Sequence, residues 1–417
     1  MAKYIFVNRF FYPDHSATSQ LLSDLVFHLS RYESEIHVVT SRQSYDDPTV
    51  RLSDYEQIDG ISIHRVWTSN YGRVNIVGRA IDYLSFYLFA FFKLIQLVSR
   101  NDVLITKTDP PLISIFTTFV AKIFGAKRIN WIQDLFPEVA IYLNVRKLQG
   151  MLGRILVRLR NYSLKGGKNV VLGERMRQKL VQEGIDRDDI IIIPNWVNGK
   201  NIRPVNDNPL RKEWGLEGKF VVGYSGNLGR AHDSETIINA MVALKESENI
   251  VFLFIGGGSH MAKVQNACEV HGLSNVLFKP YQPRELLHLS LSLADVHWIV
   301  LQPQLEGLIV PSKFYGIAAS GRPMIFLGDT KGEIAALINR YNMGFVAALG
   351  DHQTLVNKFN LLASNSNLCH TMGTNSRGVF DNKFNHNIAL KAWEKVIFAQ
   401  AEPESAAEIA LHLKEVG

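Results

Sequence analysis

Cysteine is nearly absent from this chain, and that absence removes whole classes of protein. Only Cys268 and Cys369 occur among 417 residues. They lie far apart, in no metal-ligand spacing, so a disulfide-stapled scaffold and a thiolate metal centre are excluded and a reducing compartment is implied. A strong charge of one sign is also missing. The excess of Lys and Arg over Asp and Glu is +6, which fits an anionic substrate or an acidic membrane surface and gives no reason to expect nucleic acid. Internal repeats and low-complexity runs are absent. Long hydrophobic runs are absent too, with one exception from Ala80 to Val98, nearly long enough to span a bilayer. That run carries Asp82 and Lys93 and sits between strand-like segments, which predicts a buried or membrane-grazing helix. Lys3-Tyr4-Ile5-Phe6-Val7 is too short for a signal-peptide core and reads as a buried first strand, so no leader is expected and the chain is expected in the cytoplasm.

Short apolar runs alternate with helical patterns along the chain, which implies α/β architecture with parallel sheets. Strands are expected at Tyr4–Asn8, Glu35–Thr40, Ser62–Trp67, Val103–Lys107, Lys127–Ile132, Asn169–Leu172 and Ile190–Pro194. A second series follows at Phe220–Ser225, Val251–Ile255, Val276–Lys279, Val296–Leu301, Pro323–Leu327 and Gly344–Ala347. Between the series, Pro194-Asn195-Trp196-Val197-Asn198 and the residues to Pro204 read as a linker. At this length two domains are expected: 1–197, then 198–383, a C-terminal helix over 384–400 crossing back to the first domain, and a tail over 401–417. Two doubly wound halves place a ligand cleft at the carboxyl ends of their strands.

Three constellations in the second half point to an anionic ligand. Tyr224-Ser225-Gly226-Asn227-Leu228-Gly229 follows a strand, and glycine there lets backbone N–H groups approach a phosphate. Phe254-Ile255-Gly256-Gly257-Gly258 follows the next strand and leads to a helix carrying Lys263. Pro311-Ser312-Lys313-Phe314-Tyr315-Gly316 opens a helix of small residues that closes at Gly321-Arg322-Pro323, with Ser312 as a candidate cap and Lys313 as a point charge. Each has a plainer reading as a tight turn or close helix packing. In the first half, Asp134 stands at the carboxyl end of a strand within Trp131-Ile132-Gln133-Asp134-Leu135-Phe136-Pro137-Glu138, as a reactive carboxylate or as a helix cap. His15, in Asn8-Arg9-Phe10-Phe11-Tyr12-Pro13-Asp14-His15-Ser16, titrates near neutral pH. Arg73 and Arg79 beside Phe86, Tyr87, Phe89, Phe91 and Phe92, with a further apolar helix over Leu112–Phe124 and a basic run over Arg146–Lys168, make a basic-aromatic edge of the interfacial type.

In this order the motifs resemble those of GT-B glycosyltransferases, in the wording of family 4, over nearly the whole chain. The resemblance implies two Rossmann-like doubly wound domains facing a central cleft. It implies transfer of a hexosyl or N-acetylhexosaminyl group from a nucleotide diphosphate-sugar to a glycan or polyprenyl-linked acceptor in surface polysaccharide assembly. It further implies retention of configuration, no required metal, no other cofactor, and peripheral attachment to the inner face of the plasma membrane. Gly226, Asn227, Leu228, Gly229, Gly257, Lys263, Ser312, Lys313, Gly316 and Glu333 are the implied donor-binding residues, and Asp134, Glu138, Glu306 and His15 the implied catalytic ones. No Asp-x-Asp triplet of the metal-dependent kind is read in the chain. The chain departs from the family at Gly316, where many members carry a ribose-binding glutamate, and at Leu308, where a second glutamate often contacts the sugar. Glu306 and Glu333 are the candidate replacements. A nucleotide-sugar epimerase on the same fold, or a binding subunit without catalysis, fits the same motifs.

Overall fold

The structure is a computed structural model and describes residues 2–45, 47, 49–72, 76–145 and 148–401. Arg73, Arg146 and the expected tail beyond Ala401 lie outside the described residues. The chain forms two compact units. The first holds Met1–Leu172, Met176–Pro194 and the chain from Ala389 onward; the second holds Gly173–Arg175 and Asn195–Ile388. The division falls after Pro194, where the turn-prone stretch begins, rather than after Val197.

In the first unit the elements run β1 (Tyr4–Val7), α1 (Ala17–Leu29), β2 (Ile36–Ser41), β3 (Tyr55–Ile58), β4 (Ile61–Val66), α2 (Ile76–Leu97), β5 (Val103–Lys107) and α3 (Ile113–Phe124). They continue with β6 (Lys127–Trp131), α4 (Glu138–Tyr142), α5 (Met151–Leu164), β7 (Lys168–Val171), α6 (Glu174–Gln182) and β8 (Ile190–Ile192). One eight-stranded sheet results, in the order β3-β4-β2-β1-β5-β6-β7-β8. It is parallel except for β3, which pairs antiparallel with β4. That edge strand is unexpected from the sequence, because its four residues are largely exposed and give no apolar run. Asp59-Gly60, both at positive φ, makes the turn that joins it to β4, the dipeptide that favours a two-residue hairpin.

The continuous apolar runs of the central strands follow from burial on both faces, as parallel sheets require. Ile5, Phe6, Val38, Val103, Leu104 and Ile129 are all fully enclosed. Ser16 caps α1 by accepting from Ser19 N at 3.3 Å, and Thr18 Oγ1 donates to Asp109 at 2.8 Å. The last helix, α15 (His386–Ala401), anchors on this unit through its Trp393 ring, 4.5 Å from the Trp131 ring. Glu394 on the same helix meets His28 Nε2 at 2.5 Å.

The second unit runs α7 (Pro209–Glu213), β9 (Phe220–Asn227), α8 (Glu235–Ala243), β10 (Ile250–Gly257), α9 (Met261–His271), β11 (Val276–Lys279), α10 (Leu287–Leu293) and β12 (Val296–Val300). Then come α11 (Lys313–Ala319), β13 (Met324–Leu327), α12 (Glu333–Tyr341), β14 (Gly344–Ala347), α13 (His352–Ser364) and α14 (Ser366–Val379). Its six strands are ordered β11-β10-β9-β12-β13-β14 and are all parallel. Apart from the β3–β4 hairpin at one edge, the strand order reverses once in each sheet, between β1 and β5 in the first unit and between β9 and β12 in the second. Such switch points leave a crevice at the carboxyl ends of the strands, where doubly wound sheets hold ligands.

Candidate functional site

At the switch point of the second unit, β9 ends in Gly226 and Asn227. The sheet itself continues through these residues: Gly226 pairs with Gly256, and Asn227 with Gly257. The turn that follows is closed by its own bonds. Leu228 N donates to Gly257 O at 2.7 Å, and Gly229 N donates to His232 Nδ1 at 2.9 Å. The expectation that the amides of this turn lie open for a diphosphate is therefore corrected, because pairing in the chain already uses those of Leu228 and Gly229. Glycine is required for a different reason. Gly226 sits at φ +119, and a Cβ there would stand 2.9 Å from Lys313 Cε, so the missing side chain makes room for the lysine stem.

Lys313 is the organising group. Its stem crosses Gly226, its Nζ lies 5.1 Å from the centre of the Tyr224 ring, and Nζ donates to Asn227 O at 3.3 Å. Among the described residues no carboxylate pairs with it, and burial lowers its pKa to about 8. A half-desolvated ammonium without a counter-ion is an electrostatic vacancy that an anion fills. His232 stands beside it as a neutral imidazole. Burial, with the Lys313 charge next in effect, pushes His232 down to about 4.

The other implied donor residues are placed less closely. Ser312 is exposed and makes no capping bond, and α11 is a single short run of seven residues. The expected phosphate-binding helix start is thereby reduced to Lys313. Lys263 is exposed on the outer side of α9. Gly316 is buried in α11, where an added Cβ meets Leu291 Cδ1 at 3.3 Å. The sequence reading missed Tyr281, an exposed ring just past β11 that lies against Gly256 and Gly257. Its signal was available: an aromatic directly after the carboxyl end of a strand.

Glu306 and Glu333 stand together, engaged with the backbone. Glu306 Oε1 accepts from Glu333 N at 2.8 Å, which caps α12, and burial raises the Glu306 pKa, with the Glu333 charge acting the same way. A Cβ at Gly332 would meet the Glu306 carboxylate as it stands, so a side chain there would push that carboxylate from its place. Glu333 Oε2 in turn accepts from Arg175 N at 2.8 Å. The geometry gives Glu306 a structural task. Glu306→Ala should cost about 1 kcal/mol in urea unfolding, the usual loss of a helix cap, and leave nucleotide affinity intact. A loss of affinity with unchanged stability would move this carboxylate to the donor.

In the first unit, Asp134 lies between the end of β6 and α4. It is not the cap of α4, whose N-cap position is Pro137 with no side-chain bond. Its Oδ1 is enclosed and has no hydrogen-bond partner, while the Thr108 side chain bonds to the carboxyl. Burial, reinforced by the nearby Asp109 carboxyl, raises its pKa to about 6. A carboxylate held at high energy and poised near neutral pH suits proton transfer. Glu138 is of the other kind. Arg160 grips it through two nitrogens at 2.5 and 3.2 Å and also reaches Glu183 at 2.5 Å, so the expected second catalytic carboxylate is a buried tie between α4 and α5. His15 is exposed in the loop before α1. Asp186-Arg187-Asp188 has Asp-x-Asp spacing, but Asp186 folds back to accept from Asp188 N at 3.0 Å. Among the described residues no three His, Cys, Asp or Glu side chains are grouped to hold a metal.

The basic-aromatic edge also differs in detail from its expectation. Phe86 and Tyr87 face the core, whereas Val77, Ile81, Leu84, Leu88, Phe92 and Ile95 form one exposed stripe along α2. Leu84 is 62% exposed and Phe92 53%. Helix α3 packs beside α2, and α5 beside α3; they add exposed Phe119, Ile123, Leu152, Ile155 and Leu159. Val77–Leu97 is long and apolar enough to cross a membrane by length and composition, yet its inner side is part of a globular core with Ile5, Val39 and Leu104.

Two parallel doubly wound sheets with these elements are the GT-B fold, and comparison with known proteins agrees. Residues 206–379, within the second unit, match the family described as glycosyl transferases group 1. Over 258 residues the chain is 28% identical to the probable glycosyltransferase WbjE of Pseudomonas aeruginosa, covering 61% of this chain and 64% of that protein. Over 230 residues it is 26% identical to the putative colanic acid biosynthesis glycosyl transferase WcaI of Escherichia coli, covering 53% and 56%. The matched stretch thus spans less than two thirds of either relative. Among solved structures, Anabaena HepE in complex with UDP and glucose superposes with a TM-score of 0.68 at 13% identity, over 95% of this chain and 99% of that one.

Proposed function

We propose that the protein is a glycosyltransferase of surface polysaccharide assembly. It takes a hexosyl or N-acetylhexosaminyl group from a nucleoside diphosphate sugar, UDP-linked by analogy with the bound nucleotide of HepE, and passes it to a glycan or polyprenyl-linked acceptor. The observation that carries this reading is the half-buried ammonium of Lys313, without a carboxylate partner among the described residues, at the switch point of the second unit's sheet.

In the reaction the bond from the anomeric carbon to the diphosphate oxygen breaks, and a bond from that carbon to an acceptor oxygen forms. Negative charge grows on the departing diphosphate, and the Lys313 ammonium meets it in a poorly hydrated setting where the attraction is strong. The acceptor's proton leaves as its oxygen attacks, and Asp134 is the carboxylate we assign to take it. Retention of configuration and the absence of a required metal are parts of the same reading. NMR of the product's anomeric proton from an α-linked donor tests the first: an α product supports retention, and a β product contradicts it. Colanic acid assembly, named for WcaI, and the apolar stripe of α2 support a lipid-linked acceptor met at the inner face of the plasma membrane.

A pH dependence follows from Lys313. Its pKa is about 8 in the empty site, and an anion beside it favours the charged form and raises that value again. Nucleoside diphosphate affinity is then level below pH 8 and falls above it, by at most about tenfold for each pH unit. His232, already neutral, adds nothing in that range. Calorimetry across this window checks it, and affinity that ignores pH would remove Lys313 from the phosphates.

A further inference from the structure

Thr108 stands between the ends of two strands of the first unit. The β5–β6 ladder closes at Lys107 and Trp131, and Thr108 carries it one residue further, its N–H donating to Trp131 O at 3.1 Å. Its side chain reaches the next segment, where Thr108 Oγ1 accepts from Gln133 N at 3.0 Å. On the other side of β6, Ile132 N donates to Val170 O at 2.9 Å. The backbone that presents Asp134 is thus held from both sides, just past the carboxyl end of its strand.

A hydroxyl has one hydrogen to give and two lone pairs with which to accept. The Gln133 N–H occupies a lone pair of Thr108 Oγ1, so the hydrogen stays available, and the Asp134 carboxyl takes it. Threonine is branched at Cβ and stiff at χ1, so the direction of this donor follows from the backbone that carries it.

The other polar side chains close by have partners of their own. A cavity of about 20 Å³ is lined by Thr108 and Asp134, and also by Thr106, Ser114, Asn130 and Arg160. Thr106 Oγ1 donates to Thr117 at 3.0 Å, Ser114 pairs with Ser163 at 2.8 Å, and Asn130 Nδ2 donates to Asn169 at 2.9 Å. Arg160 is taken by Glu138 and Glu183. Asp109, next to Thr108, and Tyr83 of α2 face Asp134 as well. Burial disfavours the Asp134 anion, and the Asp109 charge adds to that effect; the Thr108 bond, and after it Asp134's own N–H, oppose them. Tyr83 stays neutral, since burial raises its pKa.

We infer that Thr108 is the positioning residue of Asp134: its hydroxyl, turned by the Gln133 amide, donates to the carboxylate and holds both its direction and its charge. This rests on the reading of Asp134 as the group that takes the acceptor's proton, and it names what orients that group. The test is titration of the Asp134 carboxyl carbon by NMR in the full chain labelled at aspartate, its signal being the one lost in Asp134→Asn. Thr108→Val keeps the branched shape and deletes the hydroxyl. A bond that favours the anion is then gone, so the midpoint should rise from about 6 by about one pH unit. The ascending limb of turnover against pH should move with it, lowering turnover below pH 6 by about tenfold, while UDP affinity stays unchanged. Part of that loss returns at higher pH, where the carboxyl is ionised in both proteins, and the remainder reports the lost direction.

Thr108→Ser restores the hydroxyl and should return midpoint and limb to those of the parent, which a merely structural role would not require. Valine leaves the Gln133 N–H without its acceptor. If that variant does not fold, the unmodified protein still decides, because the Thr108 methyl signal must titrate with the same midpoint as the Asp134 carboxyl. A midpoint unmoved or lowered in Thr108→Val, a serine variant that behaves like the valine one, or a Thr108 methyl signal indifferent to pH would overturn the assignment. A midpoint that rises while the pH dependence of turnover stays fixed would keep Thr108 as the orienting donor and strike the reading of Asp134 as the base instead.

Discussion

Replacing Lys313 by methionine weakens nucleoside diphosphate binding by roughly 10- to 100-fold, the worth of a charge-assisted contact made in a partly dehydrated site. Methionine is the informative choice because the lysine stem fills the space over Gly226 and Tyr224, and an unbranched apolar side chain keeps that packing while deleting the charge. The folded state should gain slightly, since the buried ammonium lowered to about 8 is a cost the empty protein carries. Turnover should fall further than affinity, because charge on the leaving diphosphate is greatest in the transition state. Calorimetry with UDP and a steady-state assay separate the two effects. An unchanged affinity would mean that the ammonium serves the fold alone.

Asp134→Asn has the second large effect, on the other half of the chemistry. Turnover should drop by about 100- to 10,000-fold, the range for loss of a proton-transfer group, with UDP affinity unaffected. Stability should move the opposite way. The Asp134 carboxyl has its pKa raised from 3.8 to about 6, so the folded state holds the proton more tightly than the unfolded chain. Below pH 4 both states are protonated and there is no penalty; as pH rises from about 4 to 6 the penalty grows, and above that it amounts to about 3 kcal/mol. Asparagine removes it, so the variant should be more resistant to urea at pH 7.5 than at pH 4 relative to the parent. A more stable and much less active protein is the mark of a carboxylate kept for function. A less stable, fully active one would make Asp134 a structural group.

What the sequence discloses here follows the range of the interactions. The fourteen strands are legible, β3 excepted, because burial on both faces writes a continuous apolar run into each. Lys313 is legible as a charge at a helix start, and Asp134 as a charge just past the carboxyl end of a strand, both local signals. The fate of the turn amides is not, since the Leu228 N–H is taken by Gly257 O of another strand and glycine gives the same letter whether it frees an amide or makes room for a lysine stem. Glu138 reads as an available carboxylate until α5 brings Arg160 against it. Glu306 and Glu333 read as alternatives for one contact, yet the Glu306 carboxylate accepts from Glu333 N and that of Glu333 from Arg175 N. In each case a charge that looks unspent in the sequence is used by a residue distant along the chain.

Gly316 marks the place where this chain leaves the pattern it otherwise resembles. Both neighbouring glutamates already accept a backbone N–H through one oxygen, and the proposed donor reading rests on Lys313. The most direct test of the whole account is therefore transfer itself. Purified protein is incubated with single nucleoside diphosphate sugars and a bacterial polyprenyl-lipid extract, and the mass of the lipid and the released nucleotide are followed together. The account predicts that one donor yields a lipid heavier by one sugar residue, with nucleoside diphosphate released in equal amount and both products lost in Lys313→Met. Tight nucleotide binding without transfer to any acceptor, or conversion of the sugar while it stays attached to its nucleotide, would contradict it.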